Sequence, residues 1–381
     1  MRHYLRYSVL IAMMAFTMVN NLKAANKTDV RKREVRVGIM LPLHNVDGDG
    51  NRMVEFYRGL LLAVDDLKKE GISVDIHAWN VNIDADIRQT LTKEGADKCD
   101  IIFGPLYTKQ VAPLGEFAKA NNIKVVIPFS ISSDEVEKNP QIYQVYQTPD
   151  QLNVKAIQNF MGRFADYHPI FIDCNDKDSK KGVFTKGLRQ MLEKKGITYN
   201  ITNLNSPHEN FVKAFTLDKP NVVILNTDRS PELTAAYRKL DEVKLNNSSV
   251  KISMFGYTEW LMYERNNIKK FIEYDTYVPS TFYLNISAQK TQTLLQDYNR
   301  WFKTPMMEAI PRFAITGYDQ ACFFIRGLHQ YGEKFDGKNS VKPAVQTPYR
   351  FERVTKKGGY QNNVFQFVHY NTNGSISIVN F

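Results

Sequence analysis

A chain of 381 residues, 43% hydrophobic and 24% charged, carries apolar material for two cores and points to two domains or two lobes of one fold. Its formal charge of +10 falls to +7 once the leader cations Arg2, Arg6 and Lys23 are set aside. No Lys/Arg-dense block with interleaved aromatics accompanies that charge, so it reads as a solvated lysine-rich surface, and nucleic acid is excluded as a partner.

Residues 1–24 have the layout of a secretory signal peptide: a basic start at Arg2 and Arg6, an apolar core over Ser8–Val19, and a small residue at the cut in Leu22-Lys23-Ala24. The apolar core is short for a membrane span, and an uncleaved anchor is the alternative. No Cys stands at the cleavage point, so a bacterial lipoprotein is not indicated. The mature chain is expected to start near Ala25 and to reside in the periplasm or outside the cell. Cys99, Cys174 and Cys322 form no CxxC and lie in or beside apolar elements, so buried thiols are expected and no disulfide.

Glu34–Leu43 is the first buried strand, and Pro42 ends it. His44–Arg52 follows as a loop. Its Asp47–Asn51 stretch has the look of a calcium loop, but Arg52 and Arg58 stand where an EF-hand needs Gly and Glu, so a flexible turn is expected. Met53–Lys69 is a helix with Val54, Leu61, Leu62, Val64 and Leu67 inward and Lys68–Lys69 at its dipole's negative end. Val74–Trp79 is a strand, Ala85–Lys98 a polar helix, and Cys99–Phe103 a strand.

Gly104–Pro105 breaks that strand. Thr108 stands as N-cap of a helix carrying Val111, Leu114, Phe117 and Ala118 on one face. Val125–Ile127 is the next buried strand, stopped by Pro128, and Phe129–Ser133 is a hydroxyl-rich loop in which Ser132 and Glu135 fit a capping box. Ile142–Tyr146 is a strand. Thr148-Pro149-Asp150-Gln151 starts a helix running to about Tyr167.

A second alternation begins there: strand Ile170–Cys174, helix Phe184–Lys195, strand Ile197–Leu204, a capping box at Ser206–Glu209, strand Val222–Asn226, a helix opened by Ser230-Pro231-Glu232, strand Val250–Phe255 and helix Thr258–Lys270. Tyr274–Tyr283 is extended. Helices cover Ala288–Phe302 and, after Gly317, Tyr318–Tyr331. Strands Arg350–Val354, Asn363–Tyr370 and Ser375–Val379 follow, separated by Lys356–Asn362 and Asn371–Gly374. Two runs of one alternation predict an α/β fold of two similar doubly wound parallel-sheet lobes. No sequence repeat matches them.

Catalytic constellations are absent from the sequence. It has no GxGxxG after a strand, no GxxxxGK[ST], no GxSxG and no HExxH, and its seven His lack metal spacing. No catalytic residue, metal or cofactor is expected. His44 faces the presumed cleft and reads as a solvated loop His. Loops at the carboxyl edge of parallel strands are the binding candidates. In the first lobe these are Thr108, Ser130, Ser132 and Ser133, beside two helix N-termini that suit a carboxylate or phosphate. Capping alone is the other reading of Thr108 and Ser132. In the second lobe the loops begin at Asp173, Asn175 and Asp176, at Asn226, Thr227 and Asp228, and at Gly256 and Tyr257.

Several stretches together carry a resemblance. Val37-Gly38-Ile39-Met40-Leu41-Pro42-Leu43, the helix ending Ala63-Val64-Asp65-Asp66-Leu67, Ile102-Phe103-Gly104-Pro105, Ile127-Pro128-Phe129-Ser130, Gly317-Tyr318-Asp319-Gln320-Ala321 and Gly358-Gly359-Tyr360-Gln361-Asn362 resemble type I periplasmic binding proteins of the leucine/isoleucine/valine-binding class. The resemblance covers Glu34 to the end. It implies three crossings between lobes, fitted here at Gln147–Thr148, Val278–Thr281 and Val341–Thr347. The lobes would then be 34–147 with 281–340, and 148–280 with 341–381.

It also implies non-catalytic capture of a small polar ligand, an amino acid being one candidate, in an interlobe cleft for an ABC importer. The ligand contacts carried over are Thr108, Ser130 and Ser132, facing Asp173, Asn175, Asp176, Asn226, Asp228 and Tyr257. A zwitterion or amino sugar would satisfy hydroxyls on one side and carboxylates on the other. One departure stands out: where amino-acid-binding members carry Tyr-Gly after the first strand of lobe two, this chain has Lys181-Gly182. The same fold occurs in outer-membrane activators of penicillin-binding proteins. The alternative expectation is therefore an envelope interaction protein with a peptidoglycan synthase as partner.

Overall fold

Short runs of β-branched and aromatic residues, apolar on both faces, form parallel strands, and helices cover them. The computed structural model describes residues 34–129, 133–338 and 342–381. The leader, Ser130, Ser132 and the 339–341 segment lie outside the described residues. Two units partition the chain: residues up to Tyr146 with Leu284–Asn363, and Gln147–Tyr283 with Val364–Phe381.

The first unit holds β1 (Val35–Leu41), α1 (Gly48–Lys69), β2 (Val74–Asn80), α2 (Ile87–Leu91), β3 (Ile101–Phe103), α3 (Val111–Ala120), β4 (Lys124–Ile127), α4 (Glu135–Lys138) and β5 (Ile142–Gln144). The second unit begins with α5 (Pro149–Arg163), β6 (His168–Asp173), α6 (Gly182–Lys194), β7 (Asn200–Asn203), α7 (His208–Val212) and β8 (Asn221–Leu225). It continues through α8 (Ser230–Asn246), β9 (Ile252–Phe255), α9 (Glu264–Glu273) and β10 (Thr276–Ser280). The chain then returns to the first unit with α10 (Gln289–Phe302), α11 (Phe313–Tyr331), β11 (Phe351–Arg353) and β12 (Tyr360–Asn362), and ends in the second with β13 (Gln366–Tyr370) and β14 (Ile376–Asn380). The sheet orders are β11-β12-β5-β4-β3-β1-β2 and β14-β13-β10-β9-β8-β6-β7. Both are α/β sheets, parallel except at the β11 and β13–β14 ends.

The third passage between units comes after Asn363 and not at Val341–Thr347. Residues 348–363 stay with the first sheet because β12 pairs parallel with β5, Tyr360 opposite Tyr143, and β11 pairs antiparallel with β12. Tyr143 stacks on Tyr360 at 4.7 Å and meets Phe351 edge-on at 5.5 Å, a contact that fixes these three-residue strands. The Lys356–Asn362 stretch, expected as a separator, thus contains a strand.

Helix α1 starts at Gly48, inside the expected flexible turn, because the Asp47 carboxylate caps it by accepting from the Gly50 N–H at 2.7 Å. Its buried face is Met53, Phe56, Leu60, Ala63 and Leu67, rotated from the expected Val54, Leu61 and Val64. The rotation follows from α11. A Cβ on Gly59 would lie 1.7 Å from the Ala314 carbonyl oxygen, and one on Gly317 would lie 2.0 Å from that of Phe56. The two helices cross backbone against backbone, so Gly317 sits within α11 and not before it. Buried Asp319 in α11 accepts from the Val345, Gln346 and Thr347 N–H groups at 2.7, 2.8 and 2.9 Å and fixes that strap.

Local signals fail in four further places. The expected Ala85–Lys98 helix breaks into α2 and a 3-10 turn at Ala96–Lys98, because Gly95 takes φ +86°. Thr108 is the first residue of a 3-10 turn, Tyr107 holds the cap position, and no side chain caps it. Asp134 is the N-cap of α4, and Pro207 that of α7, each without a side-chain cap. The Thr148 box is present: its hydroxyl accepts from the Gln151 N–H, and the Gln151 amide oxygen accepts from the Thr148 N–H.

Cys99, Cys174 and Cys322 are buried thiols, and burial pushes the first two up to about 12 and the third to about 11. Among the described residues, no helix is long and apolar enough to cross a membrane, and no group of three or more His, Cys, Asp and Glu is placed to hold a metal ion.

Candidate functional site

In the second unit, β6, β8 and β9 run parallel, so the residues after Asp173, Leu225 and Phe255 gather at one edge. Asn226 ties the first two loops together. Its Oδ1 accepts from the Cys174 N–H at 2.8 Å, its Nδ2 donates to Asp173 Oδ1 at 2.9 Å, and its carbonyl accepts from the Ser179 hydroxyl at 2.6 Å. Asn175, in the left-handed region at φ +58°, donates its N–H to the same Asp173 oxygen at 3.0 Å. Its side-chain amide exchanges two hydrogen bonds with Asn203, at 3.0 and 2.9 Å. Asp173, Asn175 and Asn203 are thus a mutual network with exposed or half-exposed amide faces.

Asp176 turns inward. Its carboxylate accepts from the Thr227 hydroxyl at 2.6 Å and the Asp178 N–H at 3.1 Å, and Arg229 lies 3.5 Å away. These donors, the Thr227 hydroxyl first, hold it below the usual carboxylate range against some desolvation. Tyr257 is buried, and its hydroxyl donates to the Leu225 carbonyl at 2.5 Å. Burial pushes that phenol well up. Asp176, Asn226 and Tyr257 therefore shape the edge, while Asp173, Asn175 and Asp228 line it.

Two residues absent from the expected set complete this edge. Lys181, at the N-cap position of α6, places Nζ 2.6 Å from Glu259 Oε1, 3.4 Å from Asp228 Oδ2 and 4.9 Å from the Tyr257 ring centroid. Lys181-Gly182 was visible only as a departure from the Tyr-Gly pattern. Glu259 gave no local signal, since its partner is 78 residues away.

The first unit's carboxyl edge is sparser. After β1, His44 Nδ1 accepts from the Val46 N–H at 3.3 Å and packs against Gly50. His44 is thus mostly covered, its side chain 17% exposed. Tyr107 donates to Asp49 at 3.1 Å, and Asp49 pairs with Arg52. Burial, with Asp49 adding to it, pushes the Tyr107 phenol up to about 12. Thr108 is exposed beside it, and Gln110 anchors the turn by donating to the Asn82 carbonyl at 2.9 Å. Ser133, next to the undescribed Ser130 and Ser132, accepts from the Glu135 N–H at 3.3 Å.

Two concavities of this unit lie elsewhere. One of about 740 Å³ opens at the amino edge of the first sheet beside Arg36, Asp100 and Lys124, and one of about 310 Å³ lies against α11 beside Tyr318 and Arg326. Neither touches the carboxyl-edge loops, where ligands of open α/β sheets sit.

A family model described as periplasmic binding protein matches residues 34–370. The chain belongs to the periplasmic binding protein family. As a member, it is a binding protein and not an enzyme. Solved structures share the fold. A Rhodospirillum rubrum protein assigned to branched-chain amino acid ABC transport superposes with TM-score 0.60 at 14% identity, over 91% of this chain and 100% of that one. A branched-chain amino acid ABC transporter periplasmic ligand-binding protein from Burkholderia xenovorans gives 0.51 at 13% identity, over 91% and 94%. An ABC transporter substrate-binding protein from Sphaerobacter thermophilus gives 0.50 at 13% identity, over 92% and 97%. A comparison with curated proteins finds no match. This periplasmic binding protein thus pairs a familiar fold with a carboxyl edge in which a lysine is ion-paired to two acids.

Proposed function

We propose that this protein is exported, loses its leader near Ala25, and captures a small polar solute for an ABC importer, amino acids being one candidate class. The carrying observation is the family match over residues 34–370. Polar loops gathered at the carboxyl edge of parallel strands support it, because that is where such sheets bind ligands. The solute contacts we propose are Thr108, Ser130 and Ser132 in the first unit and Asp173, Asn175 and Asp228 in the second. Asp176, Asn226 and Tyr257 act by holding the loops. The matches lend nothing to the peptidoglycan-synthase reading.

Purified residues 25–381 should be screened by thermal shift against amino acids, sugars and short peptides, and hits titrated by calorimetry. One solute should raise the melting temperature by about 2–4 °C or more, as expected when ligand far exceeds Kd for a chain of this size. A screen in which no solute shifts the melt would remove the transport reading. Intact mass of protein from the periplasmic fraction checks the export step.

A further inference from the structure

We infer that Lys181 is a built-in occupant of an ammonium box, so that the cation cage at the second unit's carboxyl edge is already filled by the chain's own side chain. The box stands whether or not a solute binds; its consequence for the solute rests on the function proposed above.

An ammonium group is held best by carboxylates at its sides and an aromatic face beneath it. Lys181 Nζ has all of these: Glu259 at 2.6 Å, Asp228 at 3.4 Å and the Tyr257 ring at 4.9 Å. The partners come from loops after β8 and β9, and the lysine from the segment after β6. The ring is itself immobilised by its hydroxyl bond to Leu225 and by edge contacts with Phe184 and Trp260. Such a cage suits a ligand cation, and here the chain's own side chain fills it, 19% exposed. An incoming ammonium would have to displace Lys181 to occupy the cage.

The rest of the edge points the same way. Asp176 is engaged by Thr227, the Asp178 N–H and Arg229, and Asp173 Oδ1 accepts from two donors. Two carboxylates against one ammonium leave the box with net negative charge, which disfavours an anion beside it. What lies exposed beside the box is the Asp173 carboxylate and the reciprocal Asn175–Asn203 amide pair. The amide pair can bind hydroxyls, carbonyls and amides.

The decisive variant is Lys181→Ala, which removes three carbons and the nitrogen, the heavy atoms of propylammonium. In thermal melts of residues 25–381, propylammonium chloride should raise the variant's melting temperature by about 2–4 °C over sodium chloride at equal ionic strength, and leave the unaltered protein unmoved. Propanol should do nothing for either. An equal response of the two proteins, or none from a folded variant, overturns the box. The unaltered protein gives an independent reading by competitive acetylation and mass spectrometry. Lys181 should label several-fold more slowly than exposed Lys177 and Lys180, and equal labelling overturns the box even if the variant does not fold. If propylammonium rescues the variant but no solute emerges from the screen, the transport reading fails and the box stands. If a solute is found whose ammonium group speeds Lys181 acetylation on binding, a ligand displaces the lysine and the box is not the lysine's own.

Discussion

In the first unit the central helices α1 and α11 touch through glycines, Gly59 against the Ala314 carbonyl and Gly317 against that of Phe56. In the second unit Phe255 meets Phe160 edge-on at 5.1 Å and stacks on Phe184 at 5.7 Å, and rings line the first sheet too, where Phe324 of α11 meets Tyr143 edge-on at 5.4 Å. Yet the strand orders correspond position for position. Strand order follows from the handedness of βαβ crossovers, whereas a core needs only to be filled, and can be filled by backbone contact or by large side chains. The carboxyl edges differ as well. The second is tied by Asn226, Thr227 and the Lys181 ion pairs, and the first leaves the Thr108 hydroxyl without a hydrogen bond among the described residues. One fold thus carries one edge set by internal bonds and one with polar groups to spare.

The sharpest way to break the comparison is Gly59→Val. No rotamer relieves a Cβ placed 1.7 Å from a backbone carbonyl, so α1 and α11 must move apart. The expected loss is at least about 3 kcal/mol, the upper range of overpacking, read as a shifted urea midpoint. A loss below about 1 kcal/mol would show that the helices are not locked backbone to backbone.

A smaller effect tests the same helix pair by pH. Glu70, just after α1, takes a forked pair from Arg326 of α11 at 2.9 and 2.8 Å, and Lys342 adds a third bond at 2.9 Å. The Arg326 bonds are the main reason its carboxyl drops to about 2, from an ordinary value near 4.5. A folded-state value below the unfolded one gives stability that is present above pH ~4.5 and is lost as pH falls toward ~2. Because the pair is partly solvated, Glu70→Gln should cost about 1 kcal/mol at pH 7. It should also flatten the acid limb of a stability–pH curve between those values. An unchanged acid limb would mean that the fork carries no weight.

Where the chain announces its structure, the cause lies within a few residues. The buried runs at Val35–Leu41, Ile101–Phe103 and Asn221–Leu225 need no partner to be read as two-sided strands. The Thr148–Gln151 box is likewise local. What escaped depends on distant partners. Strand β12 is three residues long and exists because Tyr143 lies beside it, more than 200 residues back. The phase of α1 is set by Gly317, and Glu259 becomes a site residue only through Lys181. Of the expected site, the second-unit loops are legible because parallel strands place their carboxyl ends together. That Tyr257 and Asp176 would be turned inward was not legible, since their acceptor and donor come from neighbouring strands.

The smallest stability effect, and the most telling for the comparison, belongs to Thr108. Read from sequence, it caps a helix, and losing a cap costs about 0.5–2 kcal/mol. In the fold, Tyr107 occupies the cap position and the Thr108 side chain makes no cap bond. The turn is held instead by Gln110, which donates to the Asn82 carbonyl, and by Val111 buried at the start of α3. Thr108→Val keeps volume and branching and deletes only the hydroxyl. Stability should therefore stay within about 0.5 kcal/mol of the unaltered protein, as for an exposed residue outside any network. Affinity for the solute, once found, should fall by about 0.5–3 kcal/mol, the span from neutral to charged hydrogen bonds. Urea melts and calorimetric titration of the same samples separate the two effects. A loss of stability with affinity intact would return Thr108 to a structural role and leave the first unit's edge, like the second's, committed to its own loops.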